Sequence, residues 1–406
     1  MPPRTLRGGD RRDCQIGAGG GSLRTVDLRD TPQEAAFRAE LRAWLDANLP
    51  EGKRGMRGGS QRFDDAFGRE WSRKLFEGGY AGLTWPTEYA GAGAPYSHQA
   101  IFLEETVRAQ APPHVGVIGI GMAGPTIMVH GSEEQKQAHL SKILSAEEIW
   151  CQGFSEPDAG SDLAAVRTRM ERHGDVFVVN GQKVWSSFAH IADWCILVGL
   201  SDPEAPRYKG LTYMMVDMRS PGVEVRPLRQ LTGESEFNEI FFTDVQVPAA
   251  NLLGAEGDGW QVAMTTLLHE RGTLGFALTA TLEVSVNRLL DVARENLNSD
   301  ELARGRIAQE WIELQALRYT NYRSLTTLER TGIPGPEGSV AKLRWSEQNQ
   351  RLTKLGRELL GPEGLLDDGW WNYAQLRSRG NTIEAGTSEV LRNIIAERVL
   401  DLPRSR

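Results

Sequence analysis

Two stretches, thirty residues apart in the 406-residue chain, carry side chains suited to holding a flat, polar ligand. The first is WCQGFSEPDAGSDLAAVRTR, residues 150–169. Its Ser-Glu-Pro cluster and Asp-Ala-Gly-Ser-Asp run predict a polar turn, and Gly160 gives that turn conformational freedom. Such a turn can bring backbone N–H groups and the Ser155 and Ser161 hydroxyls close to a planar ligand. The second is NGQKVWSS, residues 180–187. On a strand, side chains repeat with period two, so Trp185 and Ser187 are expected on one side. There the indole can cover a flat ring and the hydroxyl can bond its edge. Each stretch also has a plainer reading. The first can be an interdomain loop, and the second can supply a core tryptophan.

The elements that must position these residues are legible in the periodicity. From residue 176 the segments VFVVNGQKVW, WCILVGL, LTYMMVDM, VEVRPL and EIFFTDVQV alternate or run apolar and are broken by Gly, Pro, Asp and Asn. That is strand and turn chemistry, and Asn180-Gly181 predicts a hairpin. No helical stretch intervenes, so the middle region reads as antiparallel β. Before it the pattern is helical. Thr31-Pro32 with Glu34 forms a capping-box signature, and Phe37, Leu41, Trp44 and Leu45 recur at helical spacing. Further helices are expected around 64–78, 96–110 and 133–144, with Pro112-Pro113 and the Gly116–Gly124 run separating the later ones. After Pro248, helices are expected over Asp258–Val286, Glu301–Thr327, Glu337–Leu360 and Thr387–Leu400, enough for a four-helix bundle. The fold class is therefore α+β: an N-terminal α-helical domain (26–149), a central antiparallel β domain (150–250) and a C-terminal bundle (251–406). Residues 1–25, polar and Gly-rich, read as a disordered tail or an over-long start.

Bulk properties narrow the function. A net charge of −8 argues against general nucleic-acid binding. No apolar run approaches the ~20 residues of a membrane span, and the N-terminus lacks the apolar stretch of a signal peptide, so a cytoplasmic location is expected. Cys14, Cys151 and Cys195 show no metal-ligand spacing and are too few for a disulfide framework. No metal site is expected.

The two motifs, in this order and spacing inside an α–β–α chain, resemble the acyl-CoA dehydrogenase family. The resemblance runs from about Val26 to Arg404. It is reinforced by AGLTWPTEYAGAG (81–93), HGSEEQKQAHL (130–140), VPAANLLGAEGDGW (247–260) and GTSEVLRNIIAERVLDLP (386–403). It implies FAD between the β domain and the bundle, and α,β-dehydrogenation of an acyl-CoA to the trans-2-enoyl thioester. It also implies an acceptor of the electron-transferring flavoprotein type and a homotetramer or heterotetramer. Carried over, Phe154 and Ser155 lie along the flavin ring. Gly160 and Ser161 approach the cofactor or the CoA end of the substrate. Trp185 covers the ring with Ser187 near N5, and Thr387 and Glu389 reach the diphosphate and ribityl region. Two departures stand out. The stretch LDVARENLNSDELARGRIAQEW lacks the Arg-x-x-Phe/Gln-Gly element that many members use on a neighbouring FAD. ELLGPEGL (358–365) keeps Gly361 and Gly364 of a Gly-Gly-rich block but places Pro362 between them.

The family also needs a carboxylate base beside the substrate α-carbon. Many members carry it immediately before the Gly-Thr pair of the last block, where this chain has Ala385. Alanine has no basic side chain, but its backbone N–H can still hold the thioester carbonyl. Members resembling isovaleryl- and long-chain-acyl-CoA dehydrogenases instead place the base on the long helix, directly before an arginine. The sequence TTLLHERGTLGF offers Glu270-Arg271 there, so Glu270 is the expected base and Arg271 a contact to CoA or to local structure. Glu384 is the rival, and His269 reads as a helix surface residue. A base on the helix accompanies branched, long or ring-bearing acyl groups, steroid side chains included. Two other functions remain open: a weakly catalytic or non-catalytic partner subunit of a heterotetramer, and a flavin-dependent oxidase. A carrier-protein thioester in place of CoA is also open.

Overall fold

The computed structural model describes residues 29–50, 65–270, 274–296, 301–332, 334–366 and 369–404. The expected tail, residues 1–25, and Arg271 lie outside the described residues, as does the side chain of Glu270. Thr31 caps helix α1 (Pro32–Asn48): its hydroxyl accepts the Glu34 N–H while its own N–H donates to the Glu34 carboxylate. Leu41 and Leu45 of α1 pack with Trp71 of α2 (Asp65–Glu77) and Ile101 of α3 (Tyr96–Arg108). The Gly116–Gly124 run, expected to separate helices, is itself helical. A π-helical turn over Gly119–Ala123 leads into α4 (Gly124–His130), and α5 (Glu133–Ser145) follows. Close packing explains the glycines better than chain flexibility does. A Cβ on Gly124 would lie 2.0 Å from the Trp85 ring, and one on Gly119 2.9 Å from Ile143.

Among the described residues, seven strands form one sheet: β1 (Trp150–Gly153), β2 (Arg169–His173), β3 (Val176–Ser187), β4 (Trp194–Leu200), β5 (Leu211–Asp217), β6 (Val223–Leu228) and β7 (Phe237–Pro248). The pairs β2–β3, β3–β7, β6–β7 and β4–β5 are antiparallel, as expected. β1 instead runs parallel to β4, and β2 meets the end of β4 in parallel at Arg169–Leu200. Strand β4 is apolar on both sides because both sides are covered. Ile196 and Val198 join one core cluster, and Cys195 and Leu197 the other.

Asn180-Gly181 does not make the expected hairpin. It is a bulge inside the single long strand β3, with a register shift between Val179 and Gly181. The Asn180 side chain bonds Asp244 on the facing strand through both its amide donor and its carbonyl. A Cβ on Gly181 would come within 2.7 Å of the Thr168 backbone, so the glycine answers a close approach rather than a turn. The actual reversal lies at Gly174, with φ +63°, between β2 and β3.

The C-terminal helices are α6 (Gly259–Glu270), α7 (Leu274–Asn296), α8 (Glu301–Thr331), α9 (Glu337–Leu360), α10 (Trp370–Asn381) and α11 (Ser388–Arg398). The expected first bundle helix, 258–286, is divided between two jobs. Val262 and Ala263 of α6 pack into the core beside the sheet with Tyr213, whereas Leu282, Val286 and Leu289 of α7 enter the bundle. There they meet Leu314 and Leu317 of α8, Leu352 and Leu355 of α9, and Trp371 of α10. Helix α10 was not expected from the periodicity, because its polar and aromatic residues leave no clear apolar stripe. Among the described residues, no helix is long and apolar enough to cross a membrane.

Candidate active site

The first motif is folded onto the second by a buried ion pair. Lys183 is fully buried, and its Nζ donates to Glu156 Oε1 at 2.8 Å and to the Phe154 carbonyl at 2.9 Å. Glu156 also accepts the N–H groups of Arg167 and Thr168, at 2.7 and 2.8 Å. Burial pulls the Lys183 ammonium down to about 8, against the pull of Glu156. Burial raises the Glu156 carboxyl, but Lys183 and the amide donors outweigh it and hold the group below its ordinary value. The loop is further tied by a bond from the Val184 N–H to the Ser155 carbonyl, 2.9 Å. Phe154 is buried edge-to-face on Tyr213, whereas Gly160 and Ser161 are exposed further along the loop.

Trp185 stands where β3 loses its regular alternation. A register shift falls between Lys183 and Ser186, and Trp185 has φ +62°. The extra residue interrupts strict period two, and exposure still sets Trp185 and Ser187 apart from the buried Ser186 between them. Ser186 is buried, Ser187 half-buried, and the indole 57% exposed. Its ring meets Phe237 of β7 edge-to-face, with centroids 6.1 Å apart.

Arg377 of α10 continues this wall into the bundle. Its guanidinium lies 5.9 Å over the Phe237 ring and grips Glu384 through two bonds, of 2.9 and 3.3 Å. Asn381 donates to the same carboxylate at 2.7 Å. One helical turn before Arg377, the Tyr373 hydroxyl donates to Glu234 on the β6–β7 connection. Glu384 leads into a turn in which Ala385 has φ +51° and Gly386 φ +91°. Lys342 of α9 holds the Gly386 carbonyl at 2.7 Å, and Thr387 caps α11 by accepting the Val390 N–H. The N–H groups of Ala385, Gly386, Thr387 and Glu389 have no hydrogen-bond partner among the described residues. Glu389 is exposed on the first turn of α11. Gly361 closes α9 in a positive-φ conformation, and a Cβ there would meet nothing within 4 Å.

Helix α6 is seated on the same tyrosine that supports Phe154. The Tyr213 hydroxyl lies 3.0 Å from Thr266 Oγ1, which also pairs with Thr126 of α4 at 2.7 Å. Thr265 meets His130 at 2.9 Å. Glu270 lies on this pinned helix, four residues beyond Thr266. His269 is half-buried rather than on the surface, and burial, with the neighbouring His130, pushes its imidazole below the ordinary value.

The residues present fit the expected FAD. An exposed indole beside a second aromatic ring offers a flat wall, and the open N-terminus of α11 offers amide donors of the kind that bind phosphate. Ser388 Oγ, buried in the first turn of α11, has no partner among the described residues. Among the described residues no group of three His, Cys, Asp or Glu could hold a metal ion. Sequence reasoning missed Lys183, Glu156, Phe237 and Arg377. The opposite charges of Glu156 and Lys183, one in each motif, were the available signal. Nothing marked Arg377.

Comparison with known proteins gives a consistent result. Residues 31–147, 151–245 and 257–400 match the N-terminal, middle and C-terminal domains of acyl-CoA dehydrogenase. Acyl-CoA dehydrogenase IpdE1 of Mycobacterium tuberculosis (strain ATCC 25618 / H37Rv) is 41% identical over 382 residues, covering 91% of this chain and 97% of the relative. IpdE1 of Mycolicibacterium smegmatis (strain ATCC 700084 / mc(2)155) is 43% identical over 389 residues, with the same coverage of 91% and 97%. Among solved structures, the Tcur3481-Tcur3483 steroid ACAD superposes with a TM-score of 0.84 at 31% identity, covering 94% of this chain and all of that one. The Lys183–Glu156 clamp, the aromatic wall and the capped α11 turn thus lie in the middle and C-terminal domains of a chain that belongs to the acyl-CoA dehydrogenase family, a family of FAD-dependent oxidoreductases.

Proposed function

We propose that the chain removes the α-proton and the β-hydrogen of an acyl-CoA thioester with a branched, long or bulky acyl group, giving the trans-2-enoyl-CoA, with Glu270 as the base. The observation that carries this reading is the commitment of the rival carboxylate. Glu384 is bound to Arg377 and Asn381, whereas α6, which carries Glu270, is seated by the bonds of Tyr213 and Thr126 to Thr266 and of His130 to Thr265. A thioester α-proton is weakly acidic, so its removal needs a positioned carboxylate and fixed donors for the enolate oxygen. The unpartnered Ala385 N–H supplies one such donor.

Bound FAD supplies the two-electron acceptor for the β-hydrogen. Phe154, Ser155, Trp185 and Ser187 hold its ring side, Thr387 and Glu389 its diphosphate and ribityl side, and Gly361 is a further cofactor contact. Gly160 and Ser161 take the cofactor or the CoA end, and Arg271 the CoA part. Electrons leave to an acceptor of the electron-transferring flavoprotein type. The word steroid in the name of the solved relative favours a ring-bearing acyl group. In the test, Glu270→Gln holoenzyme stays yellow but is no longer bleached by a panel of acyl-CoA thioesters. If it is bleached at the wild-type rate while Glu384→Gln is not, the base assignment is wrong.

A second reading, as one subunit of a heteromer, is favoured by the missing Arg-x-x-Phe/Gln-Gly element. A relative solved as the ChsE4-ChsE5 complex from Mycobacterium tuberculosis supports it, with a TM-score of 0.82 at 29% identity over 94% of this chain and 100% of that one. Colourless protein when the chain is expressed alone, and yellow protein on co-expression with a second family member, would favour that reading.

A further inference from the structure

Arg377 belongs to neither motif, yet it joins the two walls of the candidate site. On one side its guanidinium lies over Phe237, whose ring meets Trp185. On the other it takes both oxygens of Glu384, the residue before Ala385. The sequence makes room for this pair. A Cβ on Gly380 would lie 3.0 Å from Arg377 Nη1 and 3.6 Å from Glu384 Oε2. The same helix grips the sheet a second time through Tyr373 and Glu234.

The turn beyond Glu384 needs such support. Ala385 is left-handed, a conformation that costs a non-glycine residue free energy and persists only when its surroundings impose it. From the α9 side it is braced by Lys342 on the Gly386 carbonyl, Asn349 on Asn381 and Gln350 on Thr382. From the sheet side the brace is the Arg377–Glu384 pair.

We propose that Arg377 is a positioning residue: through a bidentate pair with Glu384 it ties the aromatic wall of Trp185 and Phe237 to the Ala385 turn, setting the depth at which the Ala385 N–H meets the thioester oxygen. This rests on the Proposed function for the role of that N–H. Glu384 is then the counter-ion of Arg377 and not a proton acceptor. Donor placement of this kind acts on the transition state more than on substrate binding, because small displacements weaken an oxyanion contact steeply.

The test uses the purified holoenzyme. Its first readout is flavin reduction by whichever acyl-CoA bleaches the wild type. Its second is the carbonyl stretch of the bound trans-2-enoyl-CoA of that same acyl group, labelled with 13C at C1. Arg377→Met is expected to lower the limiting reduction rate by up to about 100-fold with little change in substrate affinity, the loss that a misplacement of about 1 Å can bring. The carbonyl stretch should return toward its value in water. Arg377→Lys should recover part of both. Glu384→Gln, which keeps its bond to Asn381, should lose rate but retain the acid limb of the pH profile. If Arg377→Met does not fold, the Lys and Gln variants carry the same comparison. Wild-type rates with an unshifted carbonyl stretch in these variants would overturn the proposal. So would loss of the acid limb in Glu384→Gln, which makes Glu384 the base. Failure of the Glu270 assignment alone leaves the carbonyl stretch in the Arg377 variants as an independent reading.

Discussion

At the scale of single residues, the account separates side chains that hold the site from those that react in it. Lys183 holds: it is buried, and its charge is met by Glu156 and the Phe154 carbonyl. Lys183→Met should leave Glu156 buried without its counter-charge and destabilise the fold by about 3–5 kcal/mol, read by urea unfolding, with easier loss of flavin on dilution. Ala385 contributes backbone alone. Ala385→Gly keeps the N–H and removes the left-handed strain, so it should raise stability by about 0.5–1 kcal/mol in thermal melts and leave flavin reduction near wild type. A large loss of rate in that variant would implicate the methyl group or the rigidity of the turn. Trp185 and Ser155 were legible in the sequence because both fall in motifs. Arg377 was not, because an arginine on a polar helix gives no sign of what it will face.

At the scale of elements, an ion network fixes the first helices to the bundle. Arg38 and Arg42 of α1 and Arg108 of α3 converge on Glu104 and Glu105, and Arg108 reaches Glu283 of α7. Burial pushes the Glu105 carboxyl up, but hydrogen bonds from Arg42 and Arg38 and the charge of Arg108 hold it down at about 2. Its folded value lies below the ordinary 4.5, so its contribution is full above about 4.5 and is lost as pH falls toward 2. Glu105→Gln should therefore destabilise the protein at neutral pH by about 3 kcal/mol and flatten the acid limb of stability against pH, as measured by denaturant midpoints. Strong helical periodicity made α1, α3, α5, α8 and α9 legible in the sequence. Two of the misread elements turned on glycine. Gly181 and Gly119 were taken for turns, whereas each lets another part of the chain approach its backbone, a cause that only tertiary structure supplies.

At the scale of the whole molecule, the proposed site draws on three regions: the Phe154 loop and Trp185 on the sheet, Glu270 on α6 and the Ala385 turn in the bundle. The order of motifs along the chain already suggested this division. The sequence pointed to Glu270 over Glu384, but it did not show what holds Glu384, because that depends on how α10 meets the turn that follows it. Glu384 has Arg377 and Asn381. The central claim is that the base resides on α6, and rapid-mixing absorbance of the bound flavin tests it directly. With an acyl-CoA that bleaches the wild type, the account predicts that Glu270→Gln holoenzyme keeps its yellow spectrum unchanged and that Glu384→Gln still bleaches, though more slowly. Bleaching of Glu270→Gln at the wild-type rate would contradict it.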